Sequence, residues 1–209
     1  LTTKIFPDDM KFEPEKLIAA AKRSLENLDT DYVDLLLLHW PDDRVPLSET
    51  MPALCELQKQ GLTRNIGVSN FNIANIIEAK KYADVPISVN QVEFHPFIKQ
   101  NTLQTFLNNH HILLEAYSPL ARGDVFDNEV IKEIADKHGI TPAQVSLAWI
   151  LSDKQRIAIP KTSNPEHLQG NLDAVKVTLS ADELEKIGSL ARSDGRKIKH
   201  PDYSPEWDD

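Results

Sequence analysis

Leu35-Leu36-Leu37-Leu38-His39-Trp40-Pro41 constrains the fold of this chain more than any other stretch. Four consecutive leucines behind Val33 suit a strand buried on both faces, as strands of a parallel sheet are. Pro41 has no N–H to give to a ladder, so the strand stops before it. His39 and Trp40 then stand at the carboxyl end of a buried parallel strand. In α/β barrels that is the end where active sites are built.

The same grammar repeats. Thr63 to Val68 runs into Ser69-Asn70-Phe71, and Pro86 to Asn90 runs into Gln91-Val92-Glu93. His111 to Ala116 leads into Tyr117-Ser118-Pro119-Leu120, and Arg156 to Ile159 into Pro160-Lys161-Thr162-Ser163. Leu1 to Ile5 reads as a further strand with Lys4 near its end. Between these runs the apolar residues recur at helical spacing, as Leu17, Ala20, Ala21, Leu25 and Leu28 do over 14–28. Further helical stretches are predicted over 48–60, 73–82, 101–109, 128–138, 141–151 and 165–172. Strands alternating with helices predict βαβ units, a parallel sheet and right-handed crossovers. Six such units are countable, against the eight of a closed (β/α)8 TIM barrel. The chain opens on Leu1, inside a strand. The expectation is therefore one α/β domain over 1–209, an incomplete TIM barrel with its first two strand-helix units missing from the front. The tail from Asp194 to Asp209, with Gly195, Pro201 and Pro205, reads as a loop.

A net charge of −9 argues against a general nucleic-acid binder, which needs clustered Lys and Arg for phosphates. It leaves room for a local basic pocket holding one phosphorylated ligand. The single Cys55 has no internal disulfide partner and reads as a small core residue in a reducing compartment. No apolar run approaches the ~20 residues that span a bilayer, and no signal-peptide pattern opens the chain. A cytoplasmic protein without membrane, nucleic-acid or metal partners is expected.

His39-Trp40-Pro41 and Gly67-Val68-Ser69-Asn70-Phe71, followed in order by Asn90-Gln91-Val92-Glu93, Ala116 to Leu120 and Ile159 to Ser163, resemble the aldo-keto reductases. Thr3-Lys4 fits the same series, and the match covers the whole chain. The ending Ser204-Pro205-Glu206-Trp207-Asp208 is similar to the bacterial branch with 2,5-diketo-D-gluconate reductases. The resemblance implies a TIM barrel, monomeric at full length, that reduces small carbonyl substrates with NADPH and has no Rossmann fingerprint. Consistently, no G-x-G-x-x-G occurs here.

That family's catalytic set is Asp, Tyr, Lys and His. Lys4 and His39 match the last two. The Asp and the Tyr proton donor would precede residue 1, since none of Tyr32, Tyr82, Tyr117 and Tyr203 matches the donor's position. The chain as written is expected to have negligible activity, and its full-length parent to be active.

The chemistry behind each implied role is simple. Hydride transfer to a carbonyl leaves a developing alkoxide that needs a proton donor and positive potential. An ammonium such as Lys4 favours the phenolate of a neighbouring tyrosine and so makes it a better acid; on residue type alone Lys4 would be an exposed surface lysine. His39 can donate a hydrogen bond to the substrate carbonyl, or be a core histidine satisfied by backbone. Trp40 would wall the substrate pocket, although tryptophan buries area anywhere. Ser69, Asn70 and Gln91 suit the nicotinamide carboxamide, which has a donor and an acceptor to satisfy. As alternatives, Ser and Asn are ordinary N-caps. Tyr117 offers a face for the nicotinamide ring, with Ser118 and Leu120 beside it. His95 reads as structural.

Lys161, Thr162 and Ser163 precede a helix start, a place that favours anions. By resemblance they hold the adenosine 2′-phosphate, with His167 and Asn171 completing the site. His167 stands where the family usually has arginine, and Gly170 where it often has glutamate. A neutral histidine lacks a guanidinium's bidentate grip, so NADH use becomes plausible beside NADPH. The alternative from another class is a noncatalytic dinucleotide-binding regulatory or structural protein on the same fold.

Overall fold

The computed structural model describes residues 1–7 and 12–209. Its first half runs β1 (Thr2–Ile5), α1 (Pro14–Leu28), β2 (Val33–Leu38), α2 (Leu47–Lys59), β3 (Thr63–Ser69), α3 (Ile73–Tyr82) and β4 (Ile87–Glu93). Then come α4 (Asn101–Asn109), β5 (Leu113–Tyr117), α5 (Glu129–His138), α6 (Pro142–Leu151), β6 (Arg156–Ala158), α7 (Pro165–Asp173) and α8 (Ala181–Gly188). The strands form a sheet in the order β1-β2-β3-β4-β5-β6. This is the parallel α/β arrangement that the alternation predicts. The chain divides into two compact units, residues 1–91, 105–112 and 200–208, and residues 92–104, 113–199 and 209.

In the first unit β2 is paired in parallel on both sides, Leu37 facing Lys4 of β1 and Gly67 of β3. Leu37 and Leu38 are fully buried, as a strand covered on both faces requires. α1 buries Leu17, Ala20, Ala21 and Leu25, the stripe read from the spacing, while Leu28 at its end stays exposed. Asp29 closes α1 in the left-handed conformation, φ 51°, returning its N–H to the last turn. Gly67 is the tight point of the sheet. A Cβ there would lie 2.6 Å from both Leu37 Cδ2 and the Val89 carbonyl oxygen. Gly67→Ala is expected to cost about 1–3 kcal/mol through overpacking, read as a lower urea midpoint with an unchanged m-value.

The strands differ from the predicted ones at their ends. β3 continues through Ser69 and β4 through Glu93, with Ser69 paired to Gln91. Polar residues ended the apolar runs, but Ser69, Asn90, Gln91 and Glu93 are all buried. β5 starts at Leu113 because His111 is left-handed, φ 56°, which ends extended pairing there.

In the second unit β5 pairs with β6, Leu114 facing Arg156 and Ala116 facing Ala158. A core of Val125, Ile131, Ile134, Val145, Leu179 and Ile187 packs there. α8 lies beyond the predicted helices. Its signal is Ser180-Ala181-Asp182-Glu183, a capping box in which Ser180 and Glu183 satisfy each other's backbone N–H groups. The tail after α8 is held by backbone. Arg192 N donates to the Phe97 carbonyl at 3.0 Å, and the Arg192 carbonyl accepts from Lys99 N at 3.1 Å. Gly195 lies so close that a Cβ would meet the Phe97 oxygen at 1.8 Å.

Candidate active site

Lys4 and His39 fall at the carboxyl ends of neighbouring strands, and His39 N donates to the Ile5 carbonyl at 2.9 Å. Both side chains are half-buried. Lys4 Nζ donates to Gln91 Oε1. Asn70 is the junction of this mouth. It is left-handed at φ 62°, a conformation asparagine tolerates better than most residues. Its N–H donates to the Gln91 carbonyl at 2.9 Å. Its Nδ2 donates to the His39 carbonyl at 3.0 Å and to Ser69 Oγ at 3.2 Å. Lys4, His39, Ser69, Asn70 and Gln91, expected to share a site, thus come together in the first unit.

Burial, helped by the Lys4 ammonium and by His200, pushes the His39 imidazole down to about 4. His39 is therefore neutral and able to donate a hydrogen bond near pH 7. Its folded-state value lies below the ordinary 6.5, so the unfolded chain binds the extra proton first. Stability is full above about pH 6.5 and is lost as pH falls toward about 4. Urea titrations at stepped pH should show that slope, and His39→Gln should flatten it.

Trp40 is buried, 5% exposed, and faces the His200 ring at 5.7 Å. Phe6 meets His39 edge-on at 5.3 Å. It also touches His200 at 5.7 Å and Tyr203 at 5.8 Å. Arg44 fastens this wall. It grips the buried Asp42 carboxylate through Nε at 2.8 Å and Nη2 at 3.0 Å. The same Nη2 donates to the Pro7 carbonyl and to Tyr203 Oη, each at 2.8 Å. Phe6, Arg44, His200 and Tyr203 were not candidates in the sequence. The aromatic character of His200 and Tyr203 was the only hint, because a tail's position is set by contacts far away in the chain.

In the second unit Tyr117 ends β5. Burial, with the Glu93 carboxylate nearby, raises its phenol above the usual range, so it stays protonated. Glu93 is fully buried. It accepts Lys197 N at 2.8 Å, Ile198 N at 2.9 Å and a contact from His95 Nε2 at 3.1 Å. Burial pushes Arg196 down to about 10, while Glu93 and Tyr117 act in the other direction. Glu93 and Arg196 were not candidates either, since a carboxylate in a strand does not announce its partners. His95, fully buried against Glu93, fits a structural histidine. Ser118 is left-handed, φ 48°, and Leu120 precedes the short helical turn Ala121–Phe126.

Lys161 and Ser163 are exposed before α7. Thr162 Oγ1 accepts Asn164 N at 3.1 Å, and Asn164 Oδ1 accepts Glu166 N at 3.0 Å. His167 is exposed in the first turn of α7, and Asn171 follows one turn later. Lys161, Thr162, Ser163 and His167 are thus gathered at one helix start, where Asn164 already serves one of the backbone donors.

The aldo/keto reductase family model matches residues 1–192. The methylglyoxal reductase DkgB of Escherichia coli O157:H7 is 39% identical over 211 residues, covering 100% of this chain and 78% of that protein. The glyoxal reductase of Bacillus subtilis strain 168 is 40% identical, covering 97% of this chain and 71% of its own length. A crystal structure of a Gox0644 mutant in complex with NADPH superposes with a TM-score of 0.89 at 38% identity, over 95% of this chain and 73% of that one. The chain belongs to the aldo/keto reductase family. Among the described residues no helix is long and apolar enough to cross a membrane.

Proposed function

We propose that this chain carries an NADPH-dependent reduction of small aldehydes and ketones to alcohols, with methylglyoxal-like dicarbonyls as first substrates to assay and diketo-gluconates as second. What supports the reading above all is the joint placement of the Lys4 ammonium, the neutral His39 and the amide set Ser69, Asn70 and Gln91. Hydroxyl and carboxamide groups offer donors and acceptors together, which suits a ligand carboxamide. When bound, the cofactor supplies a hydride. His39 would then orient the substrate oxygen, Lys4 would supply positive potential where its negative charge develops, and in residues 1–209 the alkoxide would take its proton from water. Tyr117, protonated and half-buried, offers a ring face, with Ser118 and Leu120 flanking it.

The phenols of this chain are engaged elsewhere. Tyr32 accepts from Arg64, Tyr82 lies beside Glu78, Tyr117 faces Glu93 and Arg196, and Tyr203 donates to the Pro7 carbonyl. On this reading residues 1–209 alone have negligible carbonyl reductase activity. A monomer acting on a small molecule fits this reading. Steady-state NADPH oxidation with methylglyoxal tests it. Tight NADPH binding with no measurable affinity for the carbonyl substrate would favour a dinucleotide-binding protein instead.

Lys161, Thr162, Ser163, His167 and Asn171 form the proposed adenosine-phosphate site. His167→Arg is expected to tighten NADPH by roughly tenfold or more through charge-assisted hydrogen bonds of about 1.5–3 kcal/mol. NADH, lacking that phosphate, should change little. Fluorescence titration of both cofactors reads the difference. Equal changes would remove His167 from the phosphate site and leave Lys161 and Thr162 to hold it.

A further inference from the structure

His200 sits in an aromatic box. Its ring lies 4.6 Å from Tyr203, 5.7 Å from Phe6 and 5.7 Å from Trp40, measured between ring centroids. Phe6 is also the ring that meets His39 edge-on. The box is fastened on two sides. His200 N donates to Ser204 Oγ at 2.7 Å, and Tyr203 is tied to Pro7 and to the Asp42-held Arg44. The imidazole is oriented as well as placed, because Nδ1 accepts Asp202 N at 3.2 Å. A ring nitrogen that accepts carries no hydrogen, so in the neutral ring the hydrogen is on Nε2. Among the described residues Nε2 has no hydrogen-bond partner. The half-buried His200 ring thus lies against Trp40 and shares the Phe6 ring with the histidine assigned to the reacting oxygen.

We propose that His200 Nε2–H is a second hydrogen-bond donor of the substrate pocket, which takes an oxygen on the carbon adjacent to the reacting carbonyl. It selects vicinal dicarbonyls and their 2-oxo amide analogues over carbonyls with no neighbouring oxygen. The proposal rests on the reductase reading, in which His39 takes the reacting oxygen. A donor partly removed from water is left unpaired by a substrate with an apolar neighbour, and that mismatch discriminates more strongly than an added methylene does. The aromatic walls add contact area but no preference for an oxygen.

Binding to the 209-residue chain with NADP⁺ present tests this without requiring turnover. The probes are pyruvamide, a ketone with an adjacent amide oxygen, and butan-2-one, a ketone of similar size without one. Kd is read by NMR titration. His200→Phe keeps a ring in the box and removes the donor. It should weaken pyruvamide five- to tenfold and change butan-2-one less than twofold. His200→Gln, which restores an N–H donor, should recover most of that loss. In the wild type the His200 imidazole nitrogen resonances should move with pyruvamide and not with butan-2-one. Equal losses for both probes in His200→Phe, or no preference in the wild type, would overturn the assignment. Selective pyruvamide binding that needs no NADP⁺ and is unchanged in His39→Phe would leave the His200 subsite standing and remove the reductase reading.

Discussion

Glu93→Ala is expected to destabilise the protein by about 3–5 kcal/mol, the range for removing one partner from a buried charged network. The carboxylate is fully buried and receives the Lys197 and Ile198 amides and the His95 ring. Truncation leaves those donors in an apolar interior, and each unsatisfied group costs about 1–3 kcal/mol. It also releases the tail at the one side chain that accepts both amides. Glu93→Gln keeps an acceptor oxygen and should cost about half as much or less. Burial alone would raise the carboxyl's pKa, but the hydrogen bonds from His95, Ile198 and Lys197 outweigh it and hold the group below the ordinary 4.5. The unfolded chain therefore takes up the proton first. Glu93 contributes fully above about pH 4.5 and loses its contribution as pH falls through the folded-state value. Urea unfolding of wild type, Glu93→Ala and Glu93→Gln at stepped pH measures both effects. A cost under about 1 kcal/mol for the alanine variant would show that water or a shifted tail satisfies these donors at once.

The strands and most helices were legible because each is written in local pattern. The leucine run of β2 ends at a proline, and α1 repeats its apolar residues at helical spacing. Strand ends were less legible, because Gln91 and Glu93 belong to β4 through partners on other elements. α8 carries a capping-box signature, but its apolar stripe is short, with only Glu183 and Ile187 buried. The same division holds for the site. Lys4, His39, Ser69, Asn70 and Gln91 were readable as strand-end residues. Phe6, Arg44, His200 and Tyr203 were not, since the residues that join them are about 160 to nearly 200 positions apart in sequence. The link between Lys4 and Gln91 lay between these cases. Both residues were candidates, yet only the folded chain brings the ammonium onto the amide oxygen.

That link decides how Lys4 is to be tested. Lys4→Met is expected to lower kcat/KM for methylglyoxal reduction by about 10²–10³-fold, or about 2.7–4 kcal/mol of transition-state stabilisation. The substrate oxygen gains negative charge as hydride arrives, and methionine offers similar bulk without the cation. The charge is absent from the ground-state ketone, so the loss should fall on kcat more than on KM. The substitution also removes the hydrogen bond that Lys4 Nζ donates to Gln91 Oε1. Part of any loss could therefore come from a misplaced carboxamide subsite. Gln91→Met separates the two causes, because it removes the amide and leaves the ammonium. It should weaken NADPH binding more than Lys4→Met does and lower kcat less. Lys4→Arg should not restore the rate, since a planar guanidinium cannot replace a compact ammonium in the same space. The ratios are read by single-turnover NADPH oxidation at high enzyme concentration, which follows rates too small for a steady-state assay. If Lys4→Met and Gln91→Met instead give the same small kcat loss and the same shift in NADPH Kd, Lys4 serves only to hold Gln91, and the positive potential at the substrate oxygen comes from another group.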